Sequence, residues 1–205
     1  MSSAPVPEIA WFTSSEAYQK DASIANKSLT LVGSAKGMRG IYRGPYVEEP
    51  TTEVWINVWE SLDAHLAFRK SPSYPELVEG VKVFFASKPE MVHANLTTPC
   101  ERALSAPATE IAFISLQEGS TKEELDPLVA TLEAELAKAP GSHGSSWGWS
   151  VEKEGVYVGV VGWDSVAAHI DAVKAAPLDT VIQQIKKVAD VALKHVHLTK
   201  FKNQD

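Results

Sequence analysis

The sequence predicts an α+β protein made of two tandem βαββαβ units. Three observations carry that prediction. First, Trp59-Glu60-Ser61-Leu62-Asp63-Ala64-His65 is answered by Trp163-Asp164-Ser165-Val166-Ala167-Ala168-His169, with Trp, Ser, Ala and His kept at an offset of 104. Second, the same offset joins Gly44 to Gly148, Val47 to Val151 and Glu48 to Glu152. Third, an offset of 102 joins Glu8-Ile9-Ala10 to Glu110-Ile111-Ala112, and His93-Ala94-Asn95-Leu96-Thr97 to His195-Val196-His197-Leu198-Thr199. Matches that keep one order, with one small change of offset, mark an internal duplication.

Each half opens on a short apolar strand, Ile9 to Phe12 and Ile111 to Leu116. A helix follows. In the second half Ser120 and Thr121 precede Glu123 and Glu124, a capping-box pattern. Leu125, Leu128, Val129, Leu132 and Leu136 recur at helical spacing, and Gly141 closes the helix. In the first half Ser14 or Ser15 caps a weaker helix reaching about Leu31. Two strands come next, 38–47 with 54–59, and 145–151 with 156–163, with Gly155 at the second turn. Ser61 and Ser165 are N-caps for a second helical region, which Pro75 and Pro177 break in two. Val181, Ile182, Ile185, Val188, Ala189 and Ala192 read as the stripe of a last helix. A final strand ends each half, at 91–96 and 194–198.

This order is the ferredoxin-like unit. The units are expected at 1–98 and 109–205, with 99–108, which holds Pro99, Cys100 and Pro107, as a linker. A four-stranded sheet with helices on one face must bury its other face. Two fused copies do so by closing on each other into an intramolecular, pseudo-dimeric α+β barrel. A homodimer of the whole chain stays open.

Composition narrows the class. The net charge is −7 and the basic residues are scattered, against the basic face that nucleic acid requires. No apolar run reaches the length of a membrane span, and Met1 to Glu8 carries no basic cluster or apolar core of a leader. Cys100 is the single cysteine, which excludes an internal disulfide and a thiolate metal site. A soluble cytoplasmic protein is expected. No phosphate-binding loop, nucleophile elbow or His-Glu-x-x-His helix occurs, which disfavours the usual cofactor enzymes.

A strand ending in Trp, then an acidic residue and Ser, then Ala-His opening a helix, as at Trp59 and Trp163, resembles the antibiotic biosynthesis monooxygenase superfamily of dimeric α+β barrel proteins. The resemblance covers both halves. It implies a pocket between sheet and helices in each unit, with Trp59 and Trp163 part of it. Quinol-oxidising members carry an Asn four residues before that Trp and a Tyr six residues after it. Here those positions hold Trp55 and Gly159, and His65 and His169. Haem-degrading members need an axial His further along the second helix, and neither half supplies one before His93 or His195.

Strand alternation sorts the third strand of each half. Trp55, Asn57 and Trp59 share one face, as do Tyr157, Gly159, Val161 and Trp163. Gly159 in place of Trp55 predicts that the C-terminal unit has the roomier cavity. His169 opens a helix beside it and is the candidate general base, with Trp163 beside it as a second catalytic candidate. Trp147, Trp149 and Tyr157 are candidates to hold an aromatic ring, with Trp59 and His65 their counterparts in the first half. Each of these residues could equally pack or cap a duplicated scaffold. Arg43 could meet an anionic or phenolate group. His195 and His197 share a strand face, but without a supporting carboxylate pattern no metal is assigned, and no cofactor. The expected activity is cofactor-independent monooxygenation of an aromatic or polyketide-derived small molecule. Cyclisation or isomerisation of the same class, or binding alone, are the alternatives.

Overall fold

The computed structural model describes residues 5–202. The ends of the two expected units, and the first residues of the segment read for a leader, lie outside the described residues. The first repeat runs β1 (Val6–Thr13), α1 (Glu16–Lys20), a 3-10 turn (Ala22–Ala25), α2 (Asn26–Gly33), β2 (Met38–Pro45), β3 (Thr52–Trp59), α3 (Leu62–Arg69), α4 (Tyr74–Val81) and β4 (Glu90–Leu96). After α5 (Glu101–Leu104) the second runs β5 (Ala108–Leu116), α6 (Lys122–Leu136), β6 (Ser142–Ser150), β7 (Val156–Trp163), α7 (Val166–Ala172), α8 (Leu178–Ile185) and β8 (Ala189–Val196), followed by β9 (Thr199–Lys200).

Local chemistry explains the helix starts. Ser61 Oγ accepts from the Ala64 N–H and Ser165 Oγ from that of Ala168, so the repeated Trp-x-Ser motif ends a strand and caps a helix within three residues. Thr121 and Glu124 form the reciprocal capping box. Ser15 caps α1, but Asp21 stops it and restarts the chain, so the first half has broken pieces where the second has one long α6. Gly37 and Gly141, at φ +86° and +76°, turn the chain from helix to strand at matching places.

The strands form one antiparallel sheet in the order β8-β5-β7-β6-β4-β1-β3-β2-β9. One seam joins β4 to β6, where Leu96 faces Gly148. The other closes the barrel where Tyr46 bridges Val196 and the Val47 N–H donates to the His195 carbonyl. A Cβ on Gly148 would lie 2.0 Å from the Asn95 carbonyl oxygen, and one on Gly44 2.5 Å from that of His197. The repeated glycines therefore let the strands cross at the two seams.

Alternation divides the sheet as expected. Ile9, Ile56, Val58, Ile111, Val158 and Val160 fill the barrel interior, and the opposite face packs under the helices of each repeat. Two expectations need correction. The last helix stops at Ile185, and Ala189 and Ala192 belong to β8, which pairs with β5 from Ala189 to Val196. Eight residues of ladder outweigh a stripe that mimics helical spacing. The segment 99–108 is more than a connector: α5 packs on β6 and β7, and Cys100 and Leu104 are wholly buried in the barrel core. Burial pushes the Cys100 thiol up to about 12, which keeps it protonated and unreactive. Among the described residues, no helix is long and apolar enough to cross a membrane.

Candidate functional site

Closure of the barrel brings four repeated residues together twice. In the C-terminal repeat, Glu110 on β5, His169 on α7 and His195 on β8 meet Glu48, which follows β2 of the other repeat. His195 Nδ1 lies 2.5 Å from Glu48 Oε1, and its backbone N–H donates to Glu48 Oε2 at 2.9 Å. His195 Nε2 lies 2.7 Å from His169 Nδ1, and His169 Nε2 lies 3.4 Å from Glu110 Oε2. The Trp163 indole N–H donates to that same oxygen at 3.0 Å. In the N-terminal repeat Glu152, His93, His65 and Glu8 repeat the order, at 2.5, 2.7 and 3.7 Å. There Trp59 donates to Glu8 Oε2 at 3.1 Å. Each repeat's chain of side chains is thus completed by a carboxylate from the other repeat.

With both imidazoles neutral, hydrogen-bond bookkeeping assigns the tautomers. A carboxylate at Glu48 only accepts, so His195 carries its proton on Nδ1 and accepts at Nε2. His169 then donates from Nδ1, which leaves the Nε2 lone pair facing Glu110. Burial, reinforced by the neighbouring His195, lowers His169 to about 4, so its imidazole is neutral near pH 7. Burial raises Glu110 to about 7 against the opposing Trp163 hydrogen bond. Burial alone would raise Glu48 as well, but the His195 side-chain and backbone donors outweigh it and hold that carboxyl below its usual range. Glu48, with 42% of its side chain exposed, is the solvent end of the chain.

The inner end opens on a cavity of about 220 Å³ between sheet and helices, lined by Glu110 and His169 together with Leu132, Trp147, Ile185 and Leu193. Trp147 is 3% exposed and its Nε1 has no acceptor. The N-terminal repeat has a matching cavity of about 190 Å³, lined by Glu8, His65, Asn57, Trp55, Trp59 and Met91 among others.

The candidate residues sort accordingly. His169 and Trp147 line the C-terminal cavity, and His65 and Trp59 line the N-terminal one. Trp163 is fully buried beneath the cavity, packed on the His169 ring at 5.1 Å and bonded to Glu110. Three readings are corrected. Gly159 does not open space, because the Trp147 ring fills it: a Cβ there would lie 2.1 Å from Trp147 Cζ3. Trp149 and Tyr157 pack on each other at 4.4 Å, with Trp149 bonded to Asp126, and neither lines the cavity. His197 donates toward the Pro107 carbonyl beyond the end of β8 and does not join His195. Arg43 donates to the Tyr18 hydroxyl, which itself donates to Glu53. Glu8, Glu48, Glu110 and Glu152 are the site residues that no local motif singles out, although each stands in a repeated match.

Ligand atoms of Glu110, His169 and His195 lie within 4.8 Å of one another, as do those of Glu8, His65 and His93. Either group could offer a cation three donors. The 2.7 Å nitrogen–nitrogen contacts are nevertheless hydrogen-bonded. Two imidazoles on one ion, with bonds of roughly 2.0–2.1 Å, would stand about 3 Å apart.

No family model matches the chain, and no curated protein matches it. Solved structures do. A protein from Fusobacterium nucleatum described as a putative monooxygenase superposes with a TM-score of 0.74 at 10% identity, covering 100% of this chain and 96% of its own. A protein from Lactobacillus acidophilus with the same description gives 0.69 at 14% identity, covering 98% and 97%. An anthrone oxidase-like protein gives 0.66 at 14% identity, covering 96% and 93%. These likenesses are of fold. The chain shares their fold, an α+β barrel with both units in one polypeptide.

Proposed function

We propose that the C-terminal repeat is the proton-abstracting site of a cofactor-independent oxygenase acting on an enolisable aromatic ketone or phenol. The observation that carries this reading is the Glu110–His169–His195–Glu48 chain, buried except at Glu48 and ending at a cavity. A neutral imidazole at the wall of an apolar cavity, its Nε2 beside the Glu110 carboxyl, suits proton transfer. The apolar walls around it, Leu132, Ile185 and Leu193 among them, suit an aromatic substrate.

For an anthrone-like methylene the steps balance. His169 Nε2 takes a C–H proton. Its Nδ1 proton moves to His195 Nε2, and the His195 Nδ1 proton moves to Glu48. The carbanion reduces O2 and forms a C–O bond. The peroxide anion regains a proton along the same path. Loss of the second C–H proton with cleavage of the O–O bond leaves a carbonyl and water. Oxygen is the only oxidant required. Fold likeness to an anthrone oxidase-like protein supports the choice of substrate class.

The test is oxygen uptake with anthrone by metal-stripped protein, paired with anaerobic exchange of the anthrone methylene in D2O. Uptake and exchange are both expected, and both are expected to fail in His169→Ala. Exchange without uptake would retain the base and replace oxygenation with isomerisation. Neither, in the wild type, would overturn the reading.

A further inference from the structure

Each repeat gathers three buried donors from three separate elements: Glu110 on β5, His169 on α7 and His195 on β8, and Glu8 on β1, His65 on α3 and His93 on β4. In each group the ligand atoms lie within 4.8 Å of one another. Both groups are braced from behind. Glu48 accepts from the ring and the backbone of His195, which aims the opposite ring nitrogen inward at His169. Glu152 does the same for His93, whose other ring nitrogen faces His65. Trp163 and Trp59 hold the inner carboxyls, Glu110 and Glu8, through their indole N–H groups. A histidine fixed by a carboxylate on its far nitrogen, beside a carboxyl that is itself hydrogen-bonded, is the arrangement that orients metal ligands. Charge agrees. Each cluster sets two carboxyls, one of its own and one from the opposite repeat, around two imidazoles, which matches a buried divalent cation.

We propose that each Glu–His–His cluster binds a divalent transition-metal ion of the Zn2+ kind, through Glu110, His169 and His195 in one repeat and Glu8, His65 and His93 in the other. Two imidazoles with one carboxylate select such an ion over Mg2+ and Ca2+, which prefer oxygen alone. The ion replaces the proton that the two imidazoles share, and the pair spreads from 2.7 Å to about 3 Å. It takes the lone pairs that the proton transfers use, so the metal-loaded and the proton-transferring states exclude each other. Binding is measured without substrate, and its outcome is separate from that of turnover.

Equilibrium dialysis of metal-stripped protein against about 1 μM free Zn2+, with Mg2+ in excess, tests it. Two equivalents of Zn2+ are expected to stay bound, one for each cluster. His195→Gln and His93→Gln should each lose one. Replacing His143 and His197, which belong to neither cluster, with Gln should lose none. Glu48→Gln leaves the ligands in place but removes the charge behind His195. In a His93→Gln background, which isolates the C-terminal site, it should weaken Zn2+ binding about 10- to 100-fold. Fewer than two equivalents in the folded wild type overturn the proposal. So do two equivalents that survive His195→Gln, a loss that follows His143 or His197, or an affinity that Glu48→Gln leaves unchanged. Should the histidine variants lose their circular dichroism signature, Glu48→Gln in the otherwise unchanged chain decides alone, by weakening one of the two sites.

Discussion

The two repeats put an indole on the same patch of sheet but draw it from different strands. In the first, Trp55 on β3 covers the patch, and its neighbour across the ladder is Arg43. In the second, Gly159 stands at the Trp55 position and Trp147, across the ladder, lays its ring over it. The volume is conserved while its source is exchanged. One step along the same face the repeats differ again: Asn57 gives Glu8 a second donor, while Val161 leaves Glu110 with Trp163 alone. The Glu–His–His–Glu chains, by contrast, are kept residue for residue. Divergence has thus retained the hydrogen-bonded chain and altered the walls of each cavity. The comparison can be broken at several points.

The largest effect is expected in catalysis. His169→Ala should lower anthrone oxidation by about 10²- to 10⁴-fold, the usual contribution of a positioned general base. His65→Ala removes the equivalent imidazole of the other cavity and should leave the rate within the same order of magnitude. Equal losses in steady-state oxygen uptake would show that both repeats turn over, or that neither histidine acts as base.

Next is the pH dependence of stability. Glu110 is raised from 4.5 to about 7, so the folded state binds its proton more tightly. Its contribution is fully present below pH 4.5 and is lost as pH rises toward 7. His169 is lowered from 6.5 to about 4, so its contribution is present above pH 6.5 and is lost as pH falls toward 4. Each amounts to roughly 3 kcal/mol, and between about pH 4.5 and 6.5 the two oppose. Glu110→Gln should therefore uncover a protein that weakens on acidification through this window. His169→Gln should uncover one that weakens as pH rises. Urea unfolding across pH 4–8 reads both, and unchanged profiles would refute the assigned protonation states.

Smaller again is the packing exchange. Gly159→Ala drives a methyl into the Trp147 ring and should cost about 1–3 kcal/mol. Adding Trp147→Phe should recover part of that loss, and the shortfall from additivity in thermal melts measures the contact. In the first repeat the Trp already occupies the Gly159 position, so no such coupling to Arg43 is expected.

Much of this was legible in the sequence. Every member of the two chains appears in a repeated match: Glu8 with Glu110, Glu48 with Glu152, His65 with His169 and His93 with His195. The matches do not say which residues meet. Glu48 and His195 are 147 positions apart and belong to opposite repeats, and only closure of the sheet joins them. The Trp147–Gly159 contact was hidden for a related reason. Whether a glycine leaves a hole depends on the side chain across the ladder, and that is fixed by strand register, which local pattern does not supply. Ala189 and Ala192 mislead because their spacing of three continues the helical stripe of Val181, Ile185 and Val188, although on a strand the two lie on opposite faces.

The crossed carboxylates give the finest test of the comparison. Glu48→Gln keeps an acceptor for His195 Nδ1 but removes the charge, and Glu152→Gln does the same for His93. A hydrogen bond to a charged acceptor exceeds a neutral one by about 1 kcal/mol. The first variant should therefore slow C-terminal chemistry at least about fivefold, because an amide keeps the hydrogen bond to His195 but cannot take up the proton that the carboxylate receives. Its structural signature is independent of turnover. The 2.5 Å contacts at His195 and His93 should each give a strongly downfield imidazole proton resonance. Glu48→Gln should move only the His195 signal and Glu152→Gln only that of His93, although each mutated residue lies in the repeat opposite the histidine it affects. Signals that follow the residue's own repeat would show that the chains are not crossed.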